Sequence, residues 1–135
     1  MNLSKNFTLA EMLRSATATK SVYKEQFTPS NEVVQNLTEL CIHILQPLRN
    51  HIGQSIFIGS GYRCERVNTA VKGAKNSQHL TGEAADLQAT GTMNNRELFD
   101  AILELRLPYD QVIWEYGTKD EPAWVHVSYS KRNRR

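Results

Sequence analysis

Between Val33 and Ile52 the apolar residues fall at Val33, Val34, Leu37, Leu40, Cys41, Ile44, Leu45, Leu48 and Ile52. Steps of three and four place them on one stripe of an α-helix. That helix starts at Pro29-Ser30-Asn31 and stops at Gly53, a residue suited to the position after a helix end. Pro47 lies inside the pattern and is expected to kink the helix or start a new segment, because it has no N–H to donate. His43 and His51 sit off the stripe and are expected to face solvent, not a metal. A second helix begins at Asn94, with Glu97 at capping-box spacing and Leu98, Phe99, Ile102, Leu103 and Leu105 on its apolar face. Pro108 ends it. Shorter helices are expected from Phe7-Thr8-Leu9-Ala10-Glu11, where Thr8 and Glu11 have the same spacing, and from Glu65 to Val71. Thr17 to Pro29 is polar and aperiodic and reads as a loop.

Four stretches read as strands: Ser55–Ser60, Ala84–Gln88, Asp110–Tyr116 and Trp124–Tyr129. They are short, rich in β-branched and aromatic residues or small apolar ones, and bounded by turn residues. The last two are joined by only Gly117–Pro122 and should pair antiparallel. The fold class is therefore α+β: helices packed on one side of a small, mainly antiparallel sheet.

At 135 residues, 40% of them hydrophobic, the chain is long enough for one domain with a substantial core, read here as residues 1–135. The net charge of +2 owes much to the tail Lys131-Arg132-Asn133-Arg134-Arg135, at 131–135. A tail of this kind is normally a solvated end, so no nucleic-acid partner is expected and a monomer is. The first residues have no apolar segment of the signal-peptide type, and no run is long enough to span a membrane. A product made in the cytoplasm as a soluble protein is the expectation. Cys41 falls on the apolar stripe and reads as a buried residue. Cys64 lacks the setting that activates a thiol.

Chemistry concentrates in Ser77-Gln78-His79-Leu80-Thr81-Gly82-Glu83-Ala84-Ala85-Asp86. His79 and Asp86 carry ordinary zinc-ligand atoms, and Gly82 between them gives the backbone freedom to reverse. Ligands on either side of a bend can converge on one metal. His126, in Trp124-Val125-His126-Val127-Ser128, is the best third donor. Each of the three taken singly also suits a plain hydrogen-bonding residue. Ser77 and Gln78 suit either substrate contact or closing the turn. Arg63, after Gly61-Tyr62, suits either a cleft or a surface ion pair.

Ser60-Gly61-Tyr62-Arg63, then Ser77-x-His79-x-x-Gly82-x-Ala84-x-Asp86, then Trp124-Val125-His126-Val127-Ser128, resembles the D-alanyl-D-alanine carboxypeptidase-type zinc peptidases. Their fold is shared with the hedgehog signalling domain. The resemblance runs from about residue 7 to 130 and implies a zinc metallopeptidase that hydrolyses peptidoglycan stem peptides. Carboxypeptidase and L-Ala-D-Glu endopeptidase action are both open. It implies Zn2+ held by His79, Asp86 and His126, with Arg63 near the scissile carbonyl and Ser77 and Arg63 binding substrate. A cell-wall-degrading endolysin or phage component would fit a chain expected to act on the wall after release. Many relatives carry an acid three residues before the last His; here that position is Ala123. Glu115, Asp120 and Glu121 are the remaining candidates for the general base. Glu115 is favoured because a strand holds a group more firmly than a loop, and a hairpin with residues 114 to 116 opposite 124 to 126 would make it a neighbour of His126. The missing acid also leaves open a non-catalytic module of the same fold, docking on cell wall or a partner.

Overall fold

The computed structural model describes residues 1–130; the basic tail lies outside them. Strand β1 (Asn2–Ser4) pairs with β2 (Phe7–Thr8) in a small separate sheet. Helix α1 (Leu9–Leu13) follows, and the expected Thr8–Glu11 capping box is present in both directions. The expected loop from Thr17 to Pro29 instead carries helix α2 (Ala16–Ser21) and a 3-10 turn (Lys24–Phe27). Two polar groups explain the difference. Ser15 accepts from the Ala18 N–H at 3.1 Å and starts α2. Gln26, wholly buried, donates to the carbonyls of Leu13 and Tyr62 and accepts from the N–H of Cys64, each at 2.8 Å. One side chain thus supplies the order that an apolar period supplies elsewhere.

The long helix forms as expected but in three registers: α3 (Asn31–Leu40), a π-helical segment (Cys41–Leu45) and α4 (Gln46–Ile52). The Gln46 N–H reaches back five residues to the Cys41 carbonyl. Pro47, next in line, has no N–H for the His43 carbonyl, so the widened turn absorbs the misfit without breaking the helix. Gly53 ends it in the left-handed region. His51 is exposed as expected. His43 is only partly so: it pairs with Glu39 at 2.9 Å and stacks on Tyr129.

The main sheet comprises β3 (Ile56–Ser60), β4 (Ala84–Ala89), β5 (Gln111–Glu115) and β6 (Trp124–Ser128) in the order β3-β4-β6-β5, all antiparallel. Helices α5 (Glu65–Ala70) and α6 (Asn95–Glu104) lie in the connections. Alternation along the strands gives the sheet two chemistries. Ile56, Ile58, Ala85, Leu87, Val125 and Val127 join Leu37, Leu40, Ile44, Leu48, Leu98 and Ile102 from the helices in one core. Asp86 and His126, paired across β4 and β6, fall on the other face. This is the α+β architecture that the sequence predicts. Among the described residues no helix is long and apolar enough to cross a membrane.

Two register details set up the site. Ile58 pairs with Leu87, yet Ser60 pairs with Asp86, so Gly59 is an extra residue on β3. This bulge turns Ser60 onto the face of Asp86; regular pairing would have put Ser60 on the core side. In the β5–β6 hairpin Ile113 pairs with His126 and Glu115 with Trp124. The predicted register is therefore off by one residue. The correction keeps Glu115 beside the site: residues 113 and 115 share a face, and that face is the one carrying Trp124 and His126.

Candidate metal centre and its cleft

His79 stands on a 3-10 turn (Gln78–Thr81) that Ser77 caps, its hydroxyl accepting from the His79 N–H at 3.2 Å. The turn closes at Gly82, whose φ is +78°. A Cβ there would stand 2.8 Å from the Val33 carbonyl oxygen, so both the conformation and the space require glycine. The chain then enters β4 and reaches Asp86 within four residues. His79 and Asp86 thus converge as the bend predicts, and His126 arrives from the neighbouring strand.

The ligand atoms of His79, Asp86 and His126 all lie within 4.8 Å of one another, and all three residues are buried. The His79 Nδ1–H donates to the Gly61 carbonyl at 2.7 Å. That bond fixes the tautomer and leaves the Nε2 lone pair free. Nε2 lies 3.2 Å from Asp86 Oδ1, and His126 Nδ1 lies 3.1 Å from the same oxygen. An imidazole lone pair and a carboxylate oxygen face each other, an arrangement that positive charge between them satisfies. Two imidazoles and one carboxylate are a zinc donor set, so the residues fit that ion.

Arg63 is tied down on three sides. Its Nε–H donates to Ser60 Oγ at 3.0 Å, Nη1 to Asn68 Oδ1 at 3.3 Å, and Nη2 to Asp86 Oδ2 at 3.2 Å. The two Asp86 oxygens therefore have separate tasks: Oδ1 faces the imidazoles and Oδ2 holds the guanidinium. Burial lowers the Arg63 pKa, against the opposing pull of Asp86 and Glu115, and the group stays charged. Its backbone is fixed as well. The Arg63 N–H donates to the His79 carbonyl at 3.0 Å, and Gln26 holds the residue on either side. Gly61 lies so close to α1 that a Cβ would stand 2.5 Å from the Met12 carbonyl oxygen. Sequence reasoning missed Gln26, Ser60 and Asn68 as supports of Arg63, since each is an ordinary polar residue with no spacing signal.

The donor cluster and Arg63 open on one cavity of about 790 Å³. His79, Asp86, His126, Arg63, Ser77 and Gln78 line it, and so does Glu115. Asp120 and Glu121 do not. Glu121 accepts instead from the Asn95 N–H at 2.9 Å, at the start of α6. Position 123 is bound to Glu115 across the hairpin, the Ala123 N–H donating to the Glu115 carbonyl at 3.0 Å. Cys41 and Cys64 are both buried and unbridged, and neither lines the cavity. The curated proteins contain no match to the chain. A family model described as Peptidase M15 matches residues 5–128, and that span contains every donor just described. The sheet, the His-Asp-His cluster and this match agree, and the chain belongs to the peptidase M15 family, of the D-Ala-D-Ala carboxypeptidase type.

Proposed function

We propose that this chain is a zinc peptidase that hydrolyses peptide bonds in the stem peptides of bacterial peptidoglycan. The observation that carries the reading is the convergence of His79 Nε2, Asp86 Oδ1 and His126 Nδ1 on the floor of the cavity that also holds Arg63 and Glu115. Zinc held by those three atoms would supply Lewis acidity toward a peptide carbonyl and toward water. The protein's own groups do the rest. Glu115 accepts the proton released on attack and returns it to the departing amine. It stands opposite Trp124, one residue from position 123, and so supplies from the neighbouring strand the acid that position 123 lacks. Arg63, a fixed fork of donors, stabilises the negative charge that grows on the carbonyl oxygen. Ser77 closes the turn that holds His79, and its place in the cavity wall suits contact with bound peptide.

The test is digestion of purified peptidoglycan by the zinc-loaded chain. New amino termini are expected, abolished by a chelator and restored by zinc. Mass spectrometry of the fragments distinguishes D-Ala-D-Ala from L-Ala-D-Glu cleavage. A zinc-loaded chain that binds the wall and releases nothing would instead be a docking module.

A further inference from the structure

Two permanent cations line the cavity, Arg63 and Lys72. Arg63 is committed to Ser60, Asn68 and Asp86. The Lys72 ammonium has no ion pair among the described residues. Its backbone is also unusual. Lys72 has φ +60°. It stands just past α5, where the Gly73 N–H returns to the Asn68 carbonyl at 2.8 Å. Helices ending this way take glycine or asparagine at the left-handed position, because a Cβ there crowds the backbone. Here glycine comes one residue later, and lysine holds the strained place. Val22, Arg106 and Tyr116 share this left-handed backbone, and of these four residues Lys72 and Tyr116 line the cavity. From that position the side chain meets a cavity in which Arg63 and Asp86 already face one another.

We propose that Lys72 is the specificity residue that anchors a free carboxylate of the substrate peptide. The proposal rests on the peptidase reading and deepens it. A stem peptide carries two carboxylates that qualify: that of its C-terminal D-Ala, and the α-carboxylate of its D-Glu. A flexible ammonium at the cavity wall can reach either, as a point charge donating one charge-assisted hydrogen bond. Arg63 then remains free of the task of binding the peptide's charge.

The experiment uses the zinc-loaded chain and three pentapeptide stems: unmodified, amidated at the C-terminus, and with D-isoglutamine in place of D-Glu. Stopped-flow quenching of tryptophan fluorescence reads binding before turnover, since Trp124 lines the same cavity. Lys72→Gly should weaken the unmodified peptide by roughly tenfold, the scale of one hydrogen bond to a charged group. It should leave unchanged the peptide lacking the carboxylate concerned, and that arm identifies the source. Lys72→Arg should keep most of the affinity. Thermal unfolding of Lys72→Gly should rise by roughly 3 °C as the strain is relieved, which shows that lost binding is not lost folding. Equal affinity of wild type and Lys72→Gly for all three peptides overturns the proposal. A wild-type chain that binds the peptides by Lys72 without cutting them overturns the peptidase reading and upholds this one. A chain that binds none of them overturns both.

Discussion

At the scale of single residues, Asp86 joins the donor cluster to the arginine. One carboxylate serves both, so their variants will not behave independently. His126→Ala removes a donor and should strip most of the zinc, read by elemental analysis. Arg63→Ala should lower turnover by on the order of a hundredfold, as expected for one lost oxyanion donor. It also leaves Asp86 Oδ2 without its partner, so zinc affinity should fall by roughly tenfold, the smaller effect of disturbing a ligand's support. Lysine at 63 cannot bridge Ser60, Asn68 and Asp86 together and should restore little of either. Glu115→Gln should retain the metal and lose roughly a hundred- to ten-thousandfold in rate. Asp120→Asn and Glu121→Gln, outside the cavity, should stay within a few-fold. An inactive loop variant beside an active Glu115→Gln would move the base to the loop. Gln26 belongs at this scale too. Gln26→Leu deserts two buried carbonyls and one N–H, and should lower stability by about 3 kcal/mol in a denaturant titration, at roughly 1 kcal/mol for each lost bond.

At the scale of elements, turns and registers carry the site. Gly82→Ala forces a Cβ into the left-handed region and against the Val33 carbonyl. A loss of about 2 kcal/mol or more is expected in thermal unfolding, with a matching loss of zinc, because the same turn aims His79. The π-helical segment opens at Cys41, and burial pushes that thiol up from 9.0 to about 12. A raised folded pKa means that the unfolded chain gives up this proton first. The contribution of Cys41 is therefore complete below pH 9 and is lost as pH rises toward 12. At pH 8 alkylation of Cys41 should run only as fast as the chain opens, as mass spectrometry of labelled peptides can follow. The helices, strands and ligand types were legible because period and donor chemistry are local properties of a sequence. His79, Gly82 and Asp86 stand within one bend, and the caps at Thr8 and Asn94 announce themselves. The Gly59 bulge, the one-residue hairpin register and the 3-10 turn around Gln26 were not legible. Each depends on which distant backbone groups meet, and a polar residue gives no sign of its partner.

At the scale of the whole molecule, one apolar core runs from Leu3 to Val127 and packs against the face of the sheet that carries no donors. Folding therefore has its driving force without the metal. Chelation should lower the thermal midpoint, as loss of any native-state ligand does, while leaving the near-ultraviolet circular dichroism of the folded chain in place. A small metal-dependent domain would instead unfold on losing zinc. The position of β4 and β6 in the middle of the sheet has a consequence in time. Inner strands are the last segments to open, so the amides of Asp86 and His126 should exchange with solvent only at the rate of global unfolding. The two strand-borne donors, Asp86 and His126, then stay paired as long as the fold lasts. Zinc would arrive and depart through the mouth of the cavity, with no need for the sheet to open.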